Sequence, residues 1–247
     1  MPDRLASLIR ERQPCVVLTG AGISTESGIP DFRSPIGIWA TVDPMEFASL
    51  SAFRRDPEHV WSFYRLRIEM LTEAEPNRGH LALAELERRG FVAGLVTQNI
   101  DMLHERAGTK RLVEVHGSIR TATCPSCRES LTLAAVQEQL TASEGAPRCP
   151  GCSDILKPDV VFFEEMLPPA AIDEAHAWVE SAELLIVVGS ALEVYPVAGL
   201  PDHARKHGGA VAIVNLGPTT FDRASVLKLE LGAGETFDAV LAELDAS

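Results

Sequence analysis

The feature that most constrains this chain is a short apolar run, Cys15-Val16-Val17-Leu18, that enters a glycine turn, Gly20-Ala21-Gly22. Ile23 to Ser27 then has the composition to start a helix. An apolar, β-branched run of this length predicts a strand buried on both faces, as in parallel sheets. A strand passing through glycines into a helix start is how α/β folds hold a pyrophosphate. The glycines admit backbone N–H groups to the phosphates, and the helix N-terminus adds partial positive charge. Thr25 stands where the full dinucleotide fingerprint has a third glycine, so the turn alone leaves a plain tight turn and a nucleotide site both open. Gly28-Ile29-Pro30-Asp31-Phe32-Arg33-Ser34-Pro35 follows. Its prolines break the helix early and predict a long loop carrying an aromatic, an acid and an arginine.

The same rhythm recurs down the chain. Phe91 to Thr97 predicts a second strand ending in Gln98-Asn99-Ile100-Asp101, and Leu112 to Val115 a third ending in His116-Gly117. Leu184 to Val188 runs into Gly189-Ser190-Ala191, Ala210 to Val214 into Asn215, and Val226 to Leu231 is a last strand. Helices are predicted at Arg4–Arg12, Asp101–Arg106, Pro168–Ser181 and Glu235–Leu244, with two brief turns over Asp43–Arg55. A longer helix starts at Asp56-Pro57-Glu58, where Val60, Trp61, Tyr64, Ile68 and Leu71 recur at helical spacing, and Asn77 caps another that runs to about Arg89. Short apolar strands alternating with helices give an α/β, doubly wound, Rossmann-like parallel sheet. Ligands of such sheets gather at the carboxyl ends of the strands, where the polar residues just named fall.

One segment breaks the rhythm. Four of the five cysteines stand as Cys124-x-x-Cys127 and Cys149-x-x-Cys152 within Thr121–Leu156. Met1 to Gln13 is charged and amphipathic and lacks the apolar core of a signal peptide, so a cytoplasmic chain is expected. In that setting paired Cys-x-x-Cys knuckles read as one structural zinc ion rather than as disulfides, because four thiolates leave no open position for water or substrate. A helix over Leu131–Leu140 is expected between the knuckles. The resulting organisation is a single domain: a large part at about 1–30, 77–118 and 158–247, a helical insert at about 40–76, and a zinc module at about 119–157.

Composition excludes some partners. A net charge of -13 argues against broad contact with a nucleic-acid backbone. No run approaches the roughly 18 apolar residues of a membrane span. Neither a Gly-x-Ser-x-Gly elbow nor a Gly-Lys-Ser/Thr phosphate loop is present. Residue by residue, two readings stand. His116 is either a hydrogen-bonded structural histidine or, at a strand end beside the glycine turn, a base suited to a ribose hydroxyl. Asn99 and Asp101 are either helix caps or partners for a carboxamide and a ribose. Ser24 reads equally as a cap, and Arg33 as a solvated charge.

Taken in order, Gly20-Ala21-Gly22-Ile23-Ser24, Gly28-Ile29-Pro30-Asp31-Phe32-Arg33, Thr97-Gln98-Asn99-Ile100-Asp101, His116-Gly117, the paired cysteines, Gly189-Ser190-Ala191-Leu192 and Asn215 resemble the motifs of the sirtuin family over nearly the whole chain. The resemblance implies an NAD-dependent protein-lysine deacylase: acyl oxygen attacks the nicotinamide ribose of NAD, and nicotinamide and O-acyl-ADP-ribose are released. It implies His116 as the catalytic base with Asn99 beside the ribose, Ile100 and Asp101 on the carboxamide, and Phe32 covering the reacting centre. Gly20, Ala21, Gly22, Ser24, Thr25, Asp31, Arg33, Trp39, Gln98, Gly189, Ser190, Ala191, Asn215, Leu216 and Leu231 complete the implied cofactor site. An acyl-lysine peptide is implied to add as a strand between Val160-Val161-Phe162-Phe163 and the segment at Glu193 and Val194. The implied protein is a monomer that binds acyl-lysine proteins or peptides, neither nucleic acid nor membrane. An ADP-ribosyltransferase using the same NAD site is the alternative.

Two departures bear on specificity. Glu164 stands where the family usually has glycine and Met166 where asparagine is common, which puts the acyl-lysine channel and peptide affinity in question. Tyr64 and Arg67, spaced i, i+3 on one helix face, resemble the pair with which some sirtuins hold a succinyl or malonyl carboxylate. The bland reading is a core tyrosine and a solvated arginine. Thr25 stands where acidic-acyl sirtuins commonly have alanine, so the expectation is deacetylation with desuccinylation as a further activity.

Overall fold

The strand Cys15–Thr19 (β1) is central in a six-stranded parallel sheet, in a computed structural model that describes residues 2–32 and 34–246. On one side it pairs with β2 (Val92–Thr97), then β3 (Leu112–Glu114); on the other come β7 (Leu184–Val188), β8 (Ala210–Val214) and β9 (Leu227–Leu229). Every residue of β1 is buried, and its alternation feeds two cores. Cys15 and Val17 pack with Leu5 and Ile9 of α1 (Pro2–Glu11), Leu83 and Leu86 of α5 (Arg78–Arg88), and Phe237 and Val240 of α10 (Ala233–Asp245). Val16 and Leu18 pack with Ala175 and Val179 of α8 (Pro169–Ser181) and Leu200 and Ala204 of α9 (Leu200–Lys206). A strand wholly covered in this way has little use for polar side chains, which is why Cys15–Leu18 is unbroken apolar and the terminal Thr19 is hydrogen-bonded to Thr97 Oγ1 at 2.8 Å.

A second, antiparallel sheet has β4 (Gly117–Thr123) between β5 (Ser130–Thr132) and β6 (Lys157–Val160). It shares a third core with α7 (Leu133–Ala142), α3 (Leu50–Arg55) and α4 (Pro57–Glu73), built on Trp61, Tyr64, Leu71, Val136, Leu156 and Phe162. Trp61 Nε1 donates to the Leu156 carbonyl at 2.6 Å, so the indole is buried without an orphaned donor. The remaining short helices are α2 (Pro44–Phe47) and α6 (Leu103–Ala107).

Most expected elements occur within a few residues of their predicted places, and the differences have local causes. The stretch after the first glycine turn is a 3₁₀ helix, Ala21–Ser27, stopped at Gly28 (φ 84°). The helix between the knuckles begins at Leu133, because Thr132 accepts from Ala135 N as its cap while Ser130–Thr132 pair with β4. Lys157–Val160 joins the small sheet, which therefore reaches Gly117 on one side and Val160 on the other. The seven residues of α9 escape periodicity because the helix is too short to show a face.

Where the chain leaves the large sheet for the small one it turns at His116-Gly117. Gly117 has φ 69°, and a Cβ there would lie 2.2 Å from the Asp159 carbonyl oxygen, so glycine alone fits. His116 is thereby held in the corner between the two sheets.

Candidate active site

The chain reverses its progress across the large sheet between β1 and β7, and both strands end in glycine turns at that point. Gly22 N donates to the Gly189 carbonyl at 2.9 Å; a Cβ on Gly22 would come 2.8 Å from Gly189 Cα, and Gly189 itself has φ 61°. The two turns are therefore as close as backbones can pack, and outside them opens a cleft of about 880 Å³. Its walls include Gly20, Ala21, Gly22, Thr25, Asp31, Phe32, Trp39, Gln98, Asn99, Ile100 and His116. Gly189, Ser190, Ala191, Asn215, Leu216 and Leu231 form the far end, and Tyr64, Arg67, Val160, Val161, Phe162, Phe163, Glu193 and Val194 the near one. Ser24 and Asp101 lie in a smaller adjoining cavity with Arg67, Asn99 and Ile100. Arg33 lies outside the described residues.

Behind the cleft runs a continuous polar network. His116 Nδ1 is 2.9 Å from the Gln98 carbonyl oxygen, which only accepts, so Nδ1 carries the proton and the basic lone pair is on Nε2. The Gln98 amide donates to Ser190 Oγ at 3.0 Å and ties the end of β2 to the turn after β7. Ser24, whose plainer reading is a helix cap, is 1 % exposed; its hydroxyl donates to Asp101 Oδ2 at 2.7 Å and accepts from Asn99 Nδ2 at 3.1 Å. Asp101 also accepts from Leu103 N at 2.9 Å, so the same carboxylate satisfies the first N–H of α6 and lines the smaller cavity.

Two buried histidines missed in the sequence close the network. Asn77 caps α5, and its N–H donates to His80 Nδ1 at 3.3 Å, which leaves His80 Nε2–H directed at Ser24 Oγ, 3.4 Å away. Burial pushes His80 down to about 4, and His104, whose ring lies 4.8 Å from it, well below the ordinary histidine value. His104 Nε2 is 3.0 Å from Thr19 Oγ1. The Asn77-x-x-His80 capping spacing was visible in the sequence; the tertiary contacts of the pair were not.

Aromatic rings roof the near end. Phe32 stacks on Trp39 at 5.1 Å, and Trp39 on Phe63 at 6.0 Å. Arg67 is 6 % exposed with its guanidinium 5.0 Å over the Phe32 ring and 5.6 Å over Phe63. No hydrogen bond or ion pair to a described residue holds that guanidinium. Burial lowers its pKa and raises that of Tyr64, so the pair is a cation beside a neutral phenol at physiological pH. The solvated reading of Arg67 therefore fails.

Val161 N donates to the His116 carbonyl at 2.9 Å and Phe163 N to the Ala48 carbonyl at 2.8 Å, so this segment is fixed to the corner that holds His116. Glu164 keeps the left-handed backbone (φ 72°) that glycine takes easily. Its carboxylate accepts from Ser51 N at 2.8 Å and Ser51 Oγ at 3.1 Å, on the first turn of α3. The side chain is thus turned onto α3 at the cleft rim, and the departure is accommodated by a new anchor.

The cysteine knuckles are built alike. Cys124 N donates to the Glu129 carbonyl and Cys149 N to the Asp154 carbonyl, both at 2.8 Å, and each second cysteine precedes a left-handed residue, Arg128 (φ 68°) or Ser153 (φ 64°). Sulfur–sulfur distances of 3.4 Å (Cys124–Cys152 and Cys127–Cys149) and 3.6 Å (Cys127–Cys152) are far above the about 2.05 Å of a disulfide. Zinc–sulfur bonds of about 2.3 Å place tetrahedral sulfurs roughly 3.8 Å apart, so the four thiols fit a zinc ion with slight adjustment. Such an ion is structural and holds β4, β5 and β6 together.

Comparison with known proteins agrees with this geometry. The Sir2 family model matches residues 20–196. The NAD-dependent protein deacylase 1 of Archaeoglobus fulgidus is 42% identical over 241 residues, 98% of this chain and 97% of the relative. The NAD-dependent protein deacylase of Pyrococcus furiosus is 39% identical over 246 residues, 99% of this chain and 98% of its own length. Among solved structures, a Sir2 complex with a deacetylated p53 peptide and 3′-O-acetyl ADP-ribose superposes with a TM-score of 0.93 at 40% identity, covering 97% of each chain. A Sir2–p53 peptide–NAD+ complex superposes with a TM-score of 0.91 at 39% identity, covering 99% of this chain and 98% of that one.

Proposed function

The chain belongs to the Sir2 family, and on that premise we propose that its cleft removes acyl groups from protein lysines with NAD as co-substrate, releasing nicotinamide and O-acyl-ADP-ribose. The observation that carries this reading is His116, its Nδ1 proton held by the Gln98 carbonyl and its ring at the wall of the same cleft as the glycine turns and Val160–Phe163. NAD supplies the ribose carbon to which the acyl oxygen is transferred. Everything else is done by the chain. His116 takes a ribose hydroxyl proton; Asn99 and Asp101, positioned by Ser24, hold ribose and carboxamide beside Ile100; Phe32 and Trp39 exclude water. The glycine turns at Gly20–Gly22 and Gly189 bring backbone N–H groups to the phosphates, with Gln98, Ser190, Ala191 and Thr25 around them. Asp31 lies along the cofactor loop, and Asn215, Leu216 and Leu231 receive the adenosine end. The peptide lies between Val160–Phe163 and Glu193–Val194.

Arg67 favours a second acyl class. A buried guanidinium that makes no hydrogen bond or ion pair among the described residues, with Asp101 lining the same cavity, has donors that a malonyl or succinyl carboxylate satisfies. Transfer of ADP-ribose to protein, the other use of such a site, finds no support in the relatives, which are protein deacylases and deacetylases. No helix among the described residues is long and apolar enough to cross a membrane. We read the protein as a cytoplasmic monomer of one catalytic domain, acting on acyl-lysine proteins and not on nucleic acid.

The test is mass spectrometry of matched acetyl-lysine and succinyl-lysine peptides with and without NAD, alongside His116→Ala. NAD-dependent loss of an acyl group with O-acyl-ADP-ribose formed, absent in the variant, is expected. Labelled ADP-ribose left on protein, or turnover that survives His116→Ala, would overturn the reading.

A further inference from the structure

On the face of the large sheet away from α1, α5 and α10, the helices α8 and α9 bring three imidazoles and a carboxylate together. His176 and Glu180 lie one turn apart on α8, and His203 and His207 one turn apart on α9. The rings of His176 and His203 are 4.6 Å apart, and those of His203 and His207 4.4 Å apart. Glu180 lies between the α9 pair: Oε2 is 3.7 Å from His203 Nε2 and Oε1 is 3.6 Å from His207 Nε2. One ligand atom from each of Glu180, His203 and His207 lies within 4.8 Å of the others.

An ordinary ion pair explains this poorly. One carboxylate faces two imidazoles and a third packs behind them, and protonating more than one sets like charges against each other. His203 Nε2 is buried and makes no hydrogen bond. His207 Nδ1 lies 2.9 Å from the His203 carbonyl, so that nitrogen carries the proton and the Nε2 lone pair points at Glu180. A histidine fixed through one nitrogen by a backbone carbonyl, offering the other, is the form in which metal-binding histidines are held.

We propose that Glu180, His203 and His207 form a second metal site, for a divalent transition ion such as Zn²⁺ or Ni²⁺, separate from the four cysteines. Bonds of about 2.1 Å to nitrogen and oxygen put ligand atoms roughly 3.4 Å apart on a tetrahedron, close to the spacings here. Imidazole nitrogen with a single carboxylate selects Zn²⁺, Ni²⁺ or Cu²⁺ over Mg²⁺ or Ca²⁺, which need more oxygen ligands. The bound ion clamps α8 to α9. The segment Leu192–Tyr195 that precedes α9 also lines the cleft, so the clamp steadies one of its walls.

The experiment uses untagged enzyme with its four-cysteine zinc in place, titrated calorimetrically with Zn²⁺ and with Ni²⁺, and with Mg²⁺ as control. One further equivalent of Zn²⁺ or Ni²⁺ is expected, with no Mg²⁺ binding. Glu180→Gln and His207→Gln should each weaken it by more than about tenfold, and His59→Gln, at a different surface histidine, should leave it unchanged. Circular dichroism of each variant separates lost ligation from lost folding; should His207→Gln fail to fold, the exposed Glu180→Gln decides alone. No binding beyond the cysteine zinc, equal binding of Mg²⁺, or binding unmoved by these substitutions overturns the proposal.

Discussion

At the residue scale Glu164 shows how one departure from a family pattern is absorbed. Its left-handed backbone costs about 1–2 kcal/mol, and its two bonds to Ser51 offset that. Glu164→Ala keeps the strain and loses the bonds, whereas Glu164→Gly loses both. The alanine variant should therefore be the less stable of the two, by about 1 kcal/mol, in paired denaturant melts; equal or reversed midpoints would refute the anchoring role. Arg67 carries a sharper prediction. A carboxylate on a buried guanidinium is worth about 1.5–3 kcal/mol, so Arg67→Met should lower kcat/KM for a succinyl-lysine peptide by roughly 10- to 100-fold and change acetyl-lysine turnover much less. Equal losses on both peptides would make Arg67 a support for Phe32 rather than an acyl-binding group.

At the scale of elements, α5 and α6 meet the sheet through the buried pair His80 and His104. Both are held neutral in the fold. In the unfolded chain they titrate near the ordinary value of 6.5, so between about 4 and 6.5 the unfolded state binds more protons. Their contribution to stability is therefore complete above pH 6.5 and is lost as pH falls toward 4. Denaturation midpoints should drop through that window, and His104→Gln should flatten the drop. A wild-type curve that is flat from pH 7 to 4 would contradict it. Asn77 as the cap of α5 and the Cys-x-x-Cys knuckles were legible beforehand because their partners lie within three residues. The bonds from His80 to Ser24 and from Ser24 to Asp101 were not, since they span 56 and 77 residues.

For the whole molecule, two cores belong to the large sheet and a third to the small sheet with its helices. Removing zinc with a chelator should therefore melt β4–β6 first. Hydrogen exchange should become fast at Ala122 and Ile119 while Val17 and Ile186 stay protected; simultaneous loss everywhere would mean that the cores are not separable in this way. Peptide turnover should stop with the melting, because Gly117 and Val160, which frame His116, belong to that sheet. The sequence by itself determined the alternation of buried strands and helices, the glycine turns, the caps and the knuckles, since each depends on neighbours within a turn or a strand. It also carried the motifs by which the family was identified. The tertiary structure alone decided what strand order brings together: Arg67 over Phe32, Glu164 on Ser51, Ser24 between Asn99 and Asp101, and the histidines of α8 and α9. Those contacts join residues tens to more than a hundred positions apart. Local propensity says nothing about such pairs, because only the burial of the sheet's two faces fixes which helices become neighbours.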